Sequence, residues 1–283
     1  MIRDIAGRQN HSVKLARKLQ RKKHRRERGL LVCEGMDLLR AAVGSGATIR
    51  DVLVRRELLS DLPRELVEQA AEECRESASL DIGVCDQETL EYAGSLGGAA
   101  DVIFICAQPE WGLADIGLGA GATFFLDGVG DPGNVGALVR SAVAFGMAGL
   151  VCAPGTADPY GPKAMRAGMG AQFSLPIVVE VSPEDLLARL ASERARGKAV
   201  PTIWVADPHE GVDVRDLPLQ TGSMVVLGDE RSGPGPAWQG MQRVTIPQAG
   251  FDSLNVAMAG TVLAYESWRK SAGMAVANEG PVR

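Results

Sequence analysis

Short apolar runs alternate with helical patterns along most of the chain, and this alternation restricts the fold more than any other feature of the sequence. In the first half, LLVCEG (30–35) reads as a buried strand, and MDLLRAAVGSG, which follows it, has helical spacing. A second series opens with TFFLDG at Thr123 and closes in a helix expected over about 253–269. Strands that alternate with helices are typical of βαβ units. The sequence therefore predicts an α/β protein, with a parallel sheet in its second half.

The two series are separated by QPEWGLADIGLGAGA, a Gly-rich stretch without either period. We therefore divide the 283 residues into an N-terminal α/β domain (1–107), a linker (108–122), a second domain (123–272) and a flexible tail (273–283). Further helices are predicted over 63–77, 134–146 and 183–197. Further strands are predicted in IRDVLVR, LDIGVC, DVIFICAQ, GLVCAP, TIWVAD, SMVVLGDE and RVTIP.

Positive charge is concentrated in one segment, although the whole chain carries a net charge of -5. KLARKLQRKKHRRER (14–28) holds nine Lys or Arg and one Glu, a local charge of +8, so the other residues carry -13. On one helix, Val13, Leu15, Ala16 and Leu19 form a narrow apolar stripe surrounded by cations. A solvated helix face is one explanation, but charge of a single sign favours a polyanion such as RNA. The predicted RNA contacts are Lys14, Arg17, Lys18, Arg21, Lys22 and Arg25.

Cysteine and histidine usage points to no metal site. The five cysteines are scattered without a C-x-x-C pair, and the three histidines are far apart, which favours a reducing cytoplasm. The N-terminus lacks the pattern of a signal peptide, and no eighteen apolar residues follow one another. We expect a soluble cytosolic protein.

The segment LDGVGDPGNVG contains Gly128, Gly130 and Gly133 in G-x-G-x-x-G spacing, between a predicted strand and a predicted helix. A dinucleotide site also needs an acidic residue about twenty positions further on, and GLVCAP ends without one. Asp131 and Pro132 also interrupt the glycine loop. A plain turn explains the glycines as well, and the sequence holds neither a nucleophile elbow nor a phosphate-binding loop of the Walker type.

Five polar residues stand in apolar surroundings: Asn134 and Arg140 on one predicted helix, Glu230 in VVLGDERSGPGP, and Ser253 and Asn255 in IPQAGFDSLNVAMAG. Each has a plain structural explanation when it is taken alone. Asn134 and Ser253 suit helix N-caps, and Arg140 could be a surface residue. The positions of these five residues in the sequence do not show whether they have structural roles or form a functional site.

Taken together, the segments DPGNVGALVRSAVAFG, LGDERSGP and IPQAGFDSLNVAMAGTVLAYE resemble the three motifs of the SpoU (TrmH-like) family of RNA ribose 2'-O-methyltransferases. KAMRAGMGAQFSLPI resembles the block between them, and the resemblance extends over about 123–269. VKLARKLQRKKHRRERGLLVCEG is similar to the small α/β RNA-binding domain, with a fold like that of a ribosomal protein, that often precedes the catalytic domain. Ser141 and Gln248 depart from the usual Thr and Met, and the GFDSLN loop is one residue shorter than in many relatives.

The resemblance implies a C-terminal parallel-sheet domain with a deep trefoil knot, S-adenosylmethionine as cofactor, no metal, and a homodimer acting on RNA, with ribosomal RNA favoured over transfer RNA. The apolar face of the last helix, with Leu254, Met258, Val262 and Tyr265, suits dimer packing or core packing alike. The catalytic residues carried over are Arg140, Asn134, Glu230, Ser253 and Asn255. The cofactor contacts carried over are Leu227, Gly228, Ile246 and Leu254, and Lys163 and Arg166 are expected at the RNA backbone.

Arg140 is expected to stabilise developing negative charge rather than to act as the base, because a guanidinium stays protonated near neutral pH. Two other functions remain as alternatives. One is an RNA-binding protein of the same fold that has lost catalysis. The other is a dinucleotide-dependent oxidoreductase, which would rest on the glycine pattern alone.

Overall fold

The computed structural model of the chain describes residues 2–5, 7–72, 80–95, 101–217, 222–250 and 253–278. Residues 73–77 of one predicted helix, and residues 279–283 of the predicted tail, lie outside these ranges. The chain forms two compact units, one of Met1–Glu110 with Tyr160–Ser174 and one of Trp111–Pro159 with Leu175–Arg283. In the described part, no helix is both long and apolar enough to span a membrane.

The first unit is built on a mixed five-stranded sheet with the order β1-β4-β3-β5-β2. Strand β4 runs parallel to β1 and β3, whereas β5 runs antiparallel to β2 and β3. Residues such as Leu19, Leu90 and Ile103 fill the core between the sheet and its helices. The elements are β1 (Ile2–Ile5), α1 (His11–Leu19), α2 (Lys22–Arg28), β2 (Leu30–Glu34), α3 (Met36–Gly44), β3 (Ile49–Arg55), α4 (Arg64–Glu72), β4 (Asp81–Cys85), α5 (Gln87–Ala93) and β5 (Val102–Ala107), with α7 (Pro162–Gly168) from the later segment.

The basic segment forms two helices, so the prediction of one helix is wrong. Helix α1 buries the predicted apolar stripe, and Arg21, in extended conformation, precedes α2. Arg25 is 3% exposed, and its Nη1 donates to the carbonyls of Leu19 and Gln20, at 2.9 and 3.0 Å. These carbonyls lie at the end of α1 and have no helical partner, so the Arg25 guanidinium caps that helix.

The second unit is built on a seven-stranded sheet with the order β10-β12-β9-β11-β6-β7-β8, and all its strand pairs are parallel. The central strands are near-continuous apolar runs because helices cover both faces of such a sheet. The elements are β6 (Thr123–Asp127), α6 (Pro132–Ala144), β7 (Gly149–Cys152), β8 (Ile177–Val178), α8 (Pro183–Ala195), β9 (Thr202–Ala206), β10 (Val212–Asp213), β11 (Ser223–Gly228), β12 (Arg243–Thr245) and α9 (Val256–Asn278).

The boundaries of α6 and α9 are among those that differ from the prediction, and side-chain caps decide where these two helices start. Helix α6 starts at Pro132, because the Asp131 side chain accepts a hydrogen bond from the backbone N–H of Asn134 at 3.0 Å. The explanation of Asn134 as an N-cap is therefore wrong. Helix α9 starts at Val256 and extends beyond the predicted end at Arg269 to Asn278. Strands β1, β8 and β10 were not predicted, and two of them are only two residues long.

Candidate active site

The second unit has a cleft of about 690 Å³ at the carboxyl ends of β9 and β11 and along β12. The loop 229–234 and the residues that precede and open α9 complete its walls. Ligands of open parallel sheets bind outside the carboxyl ends of the strands, and a volume of this size suits a small organic ligand. Gly128, Gly130 and Gly133 are not among the residues that line it. The cleft therefore gives no support to the dinucleotide alternative.

Gly228 ends β11 at a point where the chain folds back on itself. A Cβ atom at this position would lie 2.2 Å from the Pro234 nitrogen and 2.3 Å from the Gly233 carbonyl carbon. Asp127 Oδ2 accepts hydrogen bonds from the Gly235 nitrogen at 2.7 Å and from Trp238 Nε1 at 2.9 Å, which holds the returning loop in place. Only glycine permits this close backbone approach.

The same loop makes a tight turn around Asp229. Its Oδ1 accepts hydrogen bonds from the backbone N–H groups of Ser232 at 2.8 Å and Arg231 at 3.0 Å, and from the Ser232 hydroxyl at 2.7 Å. Hydrogen bonds from Ser232 and Arg231 hold the pKa of Asp229 below its ordinary value, because they stabilise the ionised carboxylate. The turn presents Glu230 at its exposed tip.

Three of the predicted catalytic residues form one chain of side-chain hydrogen bonds at the edge of the cleft. Asn255 Nδ2 donates to Asn134 Oδ1 at 3.1 Å, and Asn134 Nδ2 donates to Glu230 Oε1 at 2.7 Å. Asn255 Oδ1 accepts from the backbone N–H groups of Ala257 at 2.9 Å and Met258 at 3.3 Å. These bonds set the orientation of both amides. They also make Asn255, not Ser253, the cap of α9, while Ser253 lines the cleft.

Arg140 lies apart from this group. It is exposed on α6, does not line the cleft, and has no hydrogen bond or ion pair within the described ranges. The neighbouring Ser141 contacts Thr261 of α9, with 2.6 Å between the hydroxyl oxygens, so the hydroxyl at this position joins two helices. The structure thus brings together Asn134, Glu230 and Asn255, and does not join Arg140 to them.

All four predicted cofactor contacts, Leu227, Gly228, Ile246 and Leu254, line the cleft. Gln248 lines it too, and its buried Oε1 has no hydrogen-bond donor among the described residues. S-adenosylmethionine carries an amino group, an ammonium group and ribose hydroxyls, any of which could supply a donor to such an orphaned acceptor. The size of the cleft, its mixture of apolar and polar walls and this acceptor fit S-adenosylmethionine.

The sequence reasoning missed two charged residues in the wall, Asp207 and Arg243, which form an ion pair. Partial burial acts to raise the pKa of Asp207. The backbone N–H groups of His209 and Glu210, together with Arg243, nevertheless hold it below its ordinary value. Asp207 directly follows the strand TIWVA, so the rule that sites lie at the carboxyl ends of parallel strands could have found it.

The predicted RNA contacts lie in the first unit. Lys14, Arg17, Lys18, Arg21 and Lys22 are exposed, whereas Arg25 is buried and is not available to a ligand. Lys163 is exposed on α7, and the partly buried Arg166 donates to Ser95 Oγ at 3.3 Å. In the basic segment 14–28, the exposed cations that the prediction omitted are Lys23, Arg26 and Arg28. Within the described ranges, no three His, Cys, Asp or Glu residues are grouped as a metal site.

Comparison with protein families identifies both units. The model of the SpoU rRNA Methylase family matches residues 121–265, and that of the MRM3-like substrate binding domain matches residues 10–87. The chain is 32% identical over 219 residues to the 23S rRNA (uridine(2479)-2'-O)-methyltransferase of Streptomyces viridochromogenes, covering 76% of each chain. It is 27% identical to the 23S rRNA (guanosine(2553)-2'-O)-methyltransferase RlmP of Bacillus subtilis, covering 93% of this chain and 98% of that one.

Solved structures show the same architecture. The AdoMet-bound rRNA methyltransferase from Sinorhizobium meliloti matches with a TM-score of 0.78 and 27% identity, over 95% of this chain and 98% of that one. The SpoU methyltransferase AviRb from Streptomyces viridochromogenes, in complex with AdoMet, matches with a TM-score of 0.77 and 29% identity, over 93% and 98%. The predicted fold class, a small α/β domain followed by a parallel-sheet domain with a trefoil knot, is confirmed.

Proposed function

Because the chain belongs to the SpoU rRNA methylase family, we propose that it transfers the methyl group of S-adenosylmethionine to the 2'-hydroxyl of a ribose in ribosomal RNA. One observation of the structure carries this proposal. The hydrogen-bonded chain Asn255–Asn134–Glu230 stands at the edge of a cleft that all four expected cofactor contacts line. A methyl donor in the cleft would thus lie beside polar groups that can hold a ribose.

S-adenosylmethionine supplies an electrophilic methyl group on a sulfonium. The task of the protein is to align the 2'-oxygen with that methyl group and to stabilise the negative charge that develops on the oxygen. Glu230, held by Asn134, is an acceptor for a ribose hydroxyl, and Ser253 in the cleft wall is a second polar contact. Asn255 positions Asn134, and through it Glu230.

Arg140 is proposed to hold the phosphate of the target nucleotide and the developing oxyanion. Its exposed guanidinium has no partner within the described ranges, so it is free to bind an anion. The proton of the 2'-hydroxyl would leave through phosphate or water, since the guanidinium itself is already protonated.

The exposed cations of α1 and α2 are proposed to bind the RNA backbone, as are Lys163 and Arg166. Because they neutralise phosphates and release counterions, they add affinity without reading a sequence. The match of residues 10–87 to a substrate-binding domain supports this role. The relatives named above act on 23S rRNA, which supports large-subunit ribosomal RNA as the substrate.

A homodimer is part of the proposal, and an exposed apolar face supports it. Met258 is 64% exposed and Tyr265 42% exposed on α9, and Leu254, which precedes that helix, is 40% exposed. Exposed apolar patches of this kind are typical of interaction surfaces. The division into an RNA-binding domain (1–107), linker, catalytic domain (123–272) and tail also stays a proposal. So does a cytoplasmic location, which the free cysteines Cys33, Cys85, Cys106 and Cys152 support.

The proposal is tested by incubating the purified protein with radiolabelled S-adenosylmethionine and ribosomal RNA that lacks its natural modifications. We expect the label to be incorporated into the RNA. The RNA should then resist alkaline cleavage at one nucleotide, since a 2'-O-methyl group blocks that reaction. RNA binding without label would instead favour the inactive RNA-binding alternative. Binding of NAD in place of S-adenosylhomocysteine, measured by calorimetry, would favour the oxidoreductase.

The role of Arg140 is tested with Arg140→Ala and Arg140→Lys. Because the residue does not line the cleft, both variants should bind S-adenosylhomocysteine as the wild type does. The rate of methyl transfer should fall about 100-fold or more in Arg140→Ala, as is typical on removal of a group that stabilises an oxyanion. Arg140→Lys should keep part of the wild-type rate of methyl transfer. Unchanged transfer rates in both variants would remove Arg140 from the chemistry.

A further inference from the structure

The ion pair of Asp207 and Arg243 lies in the wall of the cleft, and the mechanism described above does not use it. Asp207 directly follows β9, and Arg243 opens the adjacent strand β12. The parallel register pairs Arg243 with Val205, near the carboxyl end of β9. The two side chains therefore meet where ligands of parallel sheets bind.

Asp207 is held firmly in place. Its Oδ1 accepts hydrogen bonds from the backbone N–H groups of His209 and Glu210, both at 2.9 Å, and its Oδ2 accepts from Arg243 Nη1. Its side chain is 17% exposed, whereas that of Arg243 is 42% exposed. The carboxylate is thus a fixed support for a guanidinium that still reaches solvent in the cleft.

Only one terminal nitrogen of Arg243 is used by this ion pair. Its Nε and Nη2 form no hydrogen bond with any residue in the described ranges. These two nitrogens form the edge of a guanidinium that matches a carboxylate in a bidentate way. Arg243 therefore presents a pre-oriented anion-binding edge.

We infer that Arg243 binds the carboxylate at the methionine end of the cofactor, with Asp207 as its positioning residue. The inference rests on the proposed function. S-adenosylmethionine carries two cationic groups, the sulfonium and the ammonium, and a single anionic one, the carboxylate. Of these, only the carboxylate complements a guanidinium. Recognition at this end would distinguish the intact cofactor from nucleosides that lack the amino acid.

The test is calorimetric titration of the purified protein with S-adenosylmethionine, S-adenosylhomocysteine and 5'-methylthioadenosine, which has the adenosine part but no carboxylate. For Arg243→Gln we expect the Kd of the first two ligands to rise about tenfold or more, as is typical for loss of a charge-assisted hydrogen bond. The Kd of 5'-methylthioadenosine should stay unchanged. Arg243→Lys should lose less affinity than Arg243→Gln. Asp207→Asn should also lose less, and only for the two ligands that carry a carboxylate.

Arg215→Gln is the matched control, because Arg215 also pairs with an aspartate, Asp213, but does not line the cleft. It should bind all three ligands as the wild type does. If both Arg243 variants lose affinity for all three ligands to the same extent, the role of Arg243 is structural and the inference is overturned. The inference is also overturned if neither variant loses affinity for any of them. Loss of affinity for S-adenosylmethionine in Arg231→Gln, but not in Arg243→Gln, would show that Arg231 binds the carboxylate and would overturn the inference. If the wild type binds none of the three ligands, the proposed function itself is overturned.

Discussion

At the scale of single residues, Asn255 serves two structures at once. Its Oδ1 caps α9 by accepting from two backbone N–H groups, and its Nδ2 donates to Asn134 in the chain that reaches Glu230. An aspartate could serve as the cap but could not donate, and a serine could not reach both partners with separate atoms. The position therefore requires an amide.

The two roles can be separated by substitution. Asn255→Asp keeps the capping acceptor, so the free energy of unfolding should stay within about 0.5 kcal/mol of the wild type, since Asp and Asn cap almost equally well. Methyl transfer should fall about tenfold, because one hydrogen bond is lost and a carboxylate faces Asn134 Oδ1. Asn255→Ala should lose the activity and also about 1 kcal/mol of stability. Urea unfolding and single-turnover methyl transfer measure the two effects, and equal stability losses in both variants would contradict the dual role.

At the scale of elements, the break between α1 and α2 depends on Arg25. Its buried guanidinium bonds the carbonyls of Leu19 and Gln20, which the end of α1 leaves without partners. A residue from the basic segment thus acts inside the first unit, while its neighbour Arg21 remains exposed.

Substitution of these two arginines should give opposite results. Arg25→Ala removes the donor from two carbonyls, so it should lower the free energy of unfolding by about 2 kcal/mol, in the range for hydrogen bonds to charged groups. Arg21→Ala should leave stability within about 0.5 kcal/mol and weaken RNA binding, most strongly at low salt. Thermal unfolding and filter binding measure the two effects. Loss of stability in Arg21→Ala, but not in Arg25→Ala, would refute the capping role.

The contact of α9 with α6 and β11 requires a residue without a side chain. A Cβ atom at Gly260 would lie 2.2 Å from Leu138 Cδ2 and 2.9 Å from Leu227 Cδ1. Leu138 and Leu227 are fully buried, so they have little room to move. Because α9 also carries the cap residue Asn255 at its start, this contact places the active-site chain relative to the sheet.

Gly260→Ala should therefore destabilise the protein by about 1–3 kcal/mol, the usual cost of overpacking a core, although alanine is the better helix former. Gly44→Ala is the control. Gly44 ends helix α3, and a Cβ atom added there would meet no atom of the described residues within 4 Å, so its substitution should be neutral or slightly stabilising. Chemical unfolding of both variants measures the difference, and a stable Gly260→Ala protein would show that α6 and α9 can move apart at little cost.

At the scale of the whole molecule, an aromatic cluster on the second unit is the best candidate for the contact in the proposed dimer. Phe145 and Tyr265 pack edge to face with ring centroids 5.7 Å apart, and Trp268 lies 5.9 Å from Tyr265. Trp268 is 47% exposed, so the cluster presents apolar area to solvent. Aromatic residues in such a patch dominate association energies.

Trp268→Asp should convert the proposed dimer to a monomer at micromolar concentration, because it places a charge in an apolar contact. The matched control is Trp111→Asp, since Trp111 is also exposed but lies outside the cluster. Light scattering after size-exclusion chromatography gives the mass of each variant. A wild type that is a monomer, or a Trp268→Asp variant that stays a dimer, would exclude this face as the contact.

The sequence predicted the order of most helices and strands because hydrophobic periodicity and turn residues act over a few positions. It failed where a distant residue decides a boundary. The basic segment has the composition of one helix, and the break at Arg21 is stabilised by the folding of Arg25 back onto the end of α1. The short strands β8 and β10 carry too few residues for a period to show.

The site was predictable only in part, for a related reason. The motif resemblance supplied the residue types of the cleft, and Leu227, Gly228, Ile246 and Leu254 do line it. It did not point to Asp207 or Arg243, whose ion pair joins positions 36 apart. Nor could it separate Arg140 from Asn134, which share one helix but have different surroundings in the structure.

The sequence by itself determined the α/β class, the order of most helices and strands, and the family, because each depends on patterns within short stretches of chain. Only the tertiary structure decided which side chains meet. Asn134 contacts Glu230 and Asn255 across 96 and 121 positions, and Arg25 is buried while the adjacent Arg26 is exposed. Strand order and close packing bring such residues together, and neither is encoded in the local spacing of polar and apolar residues.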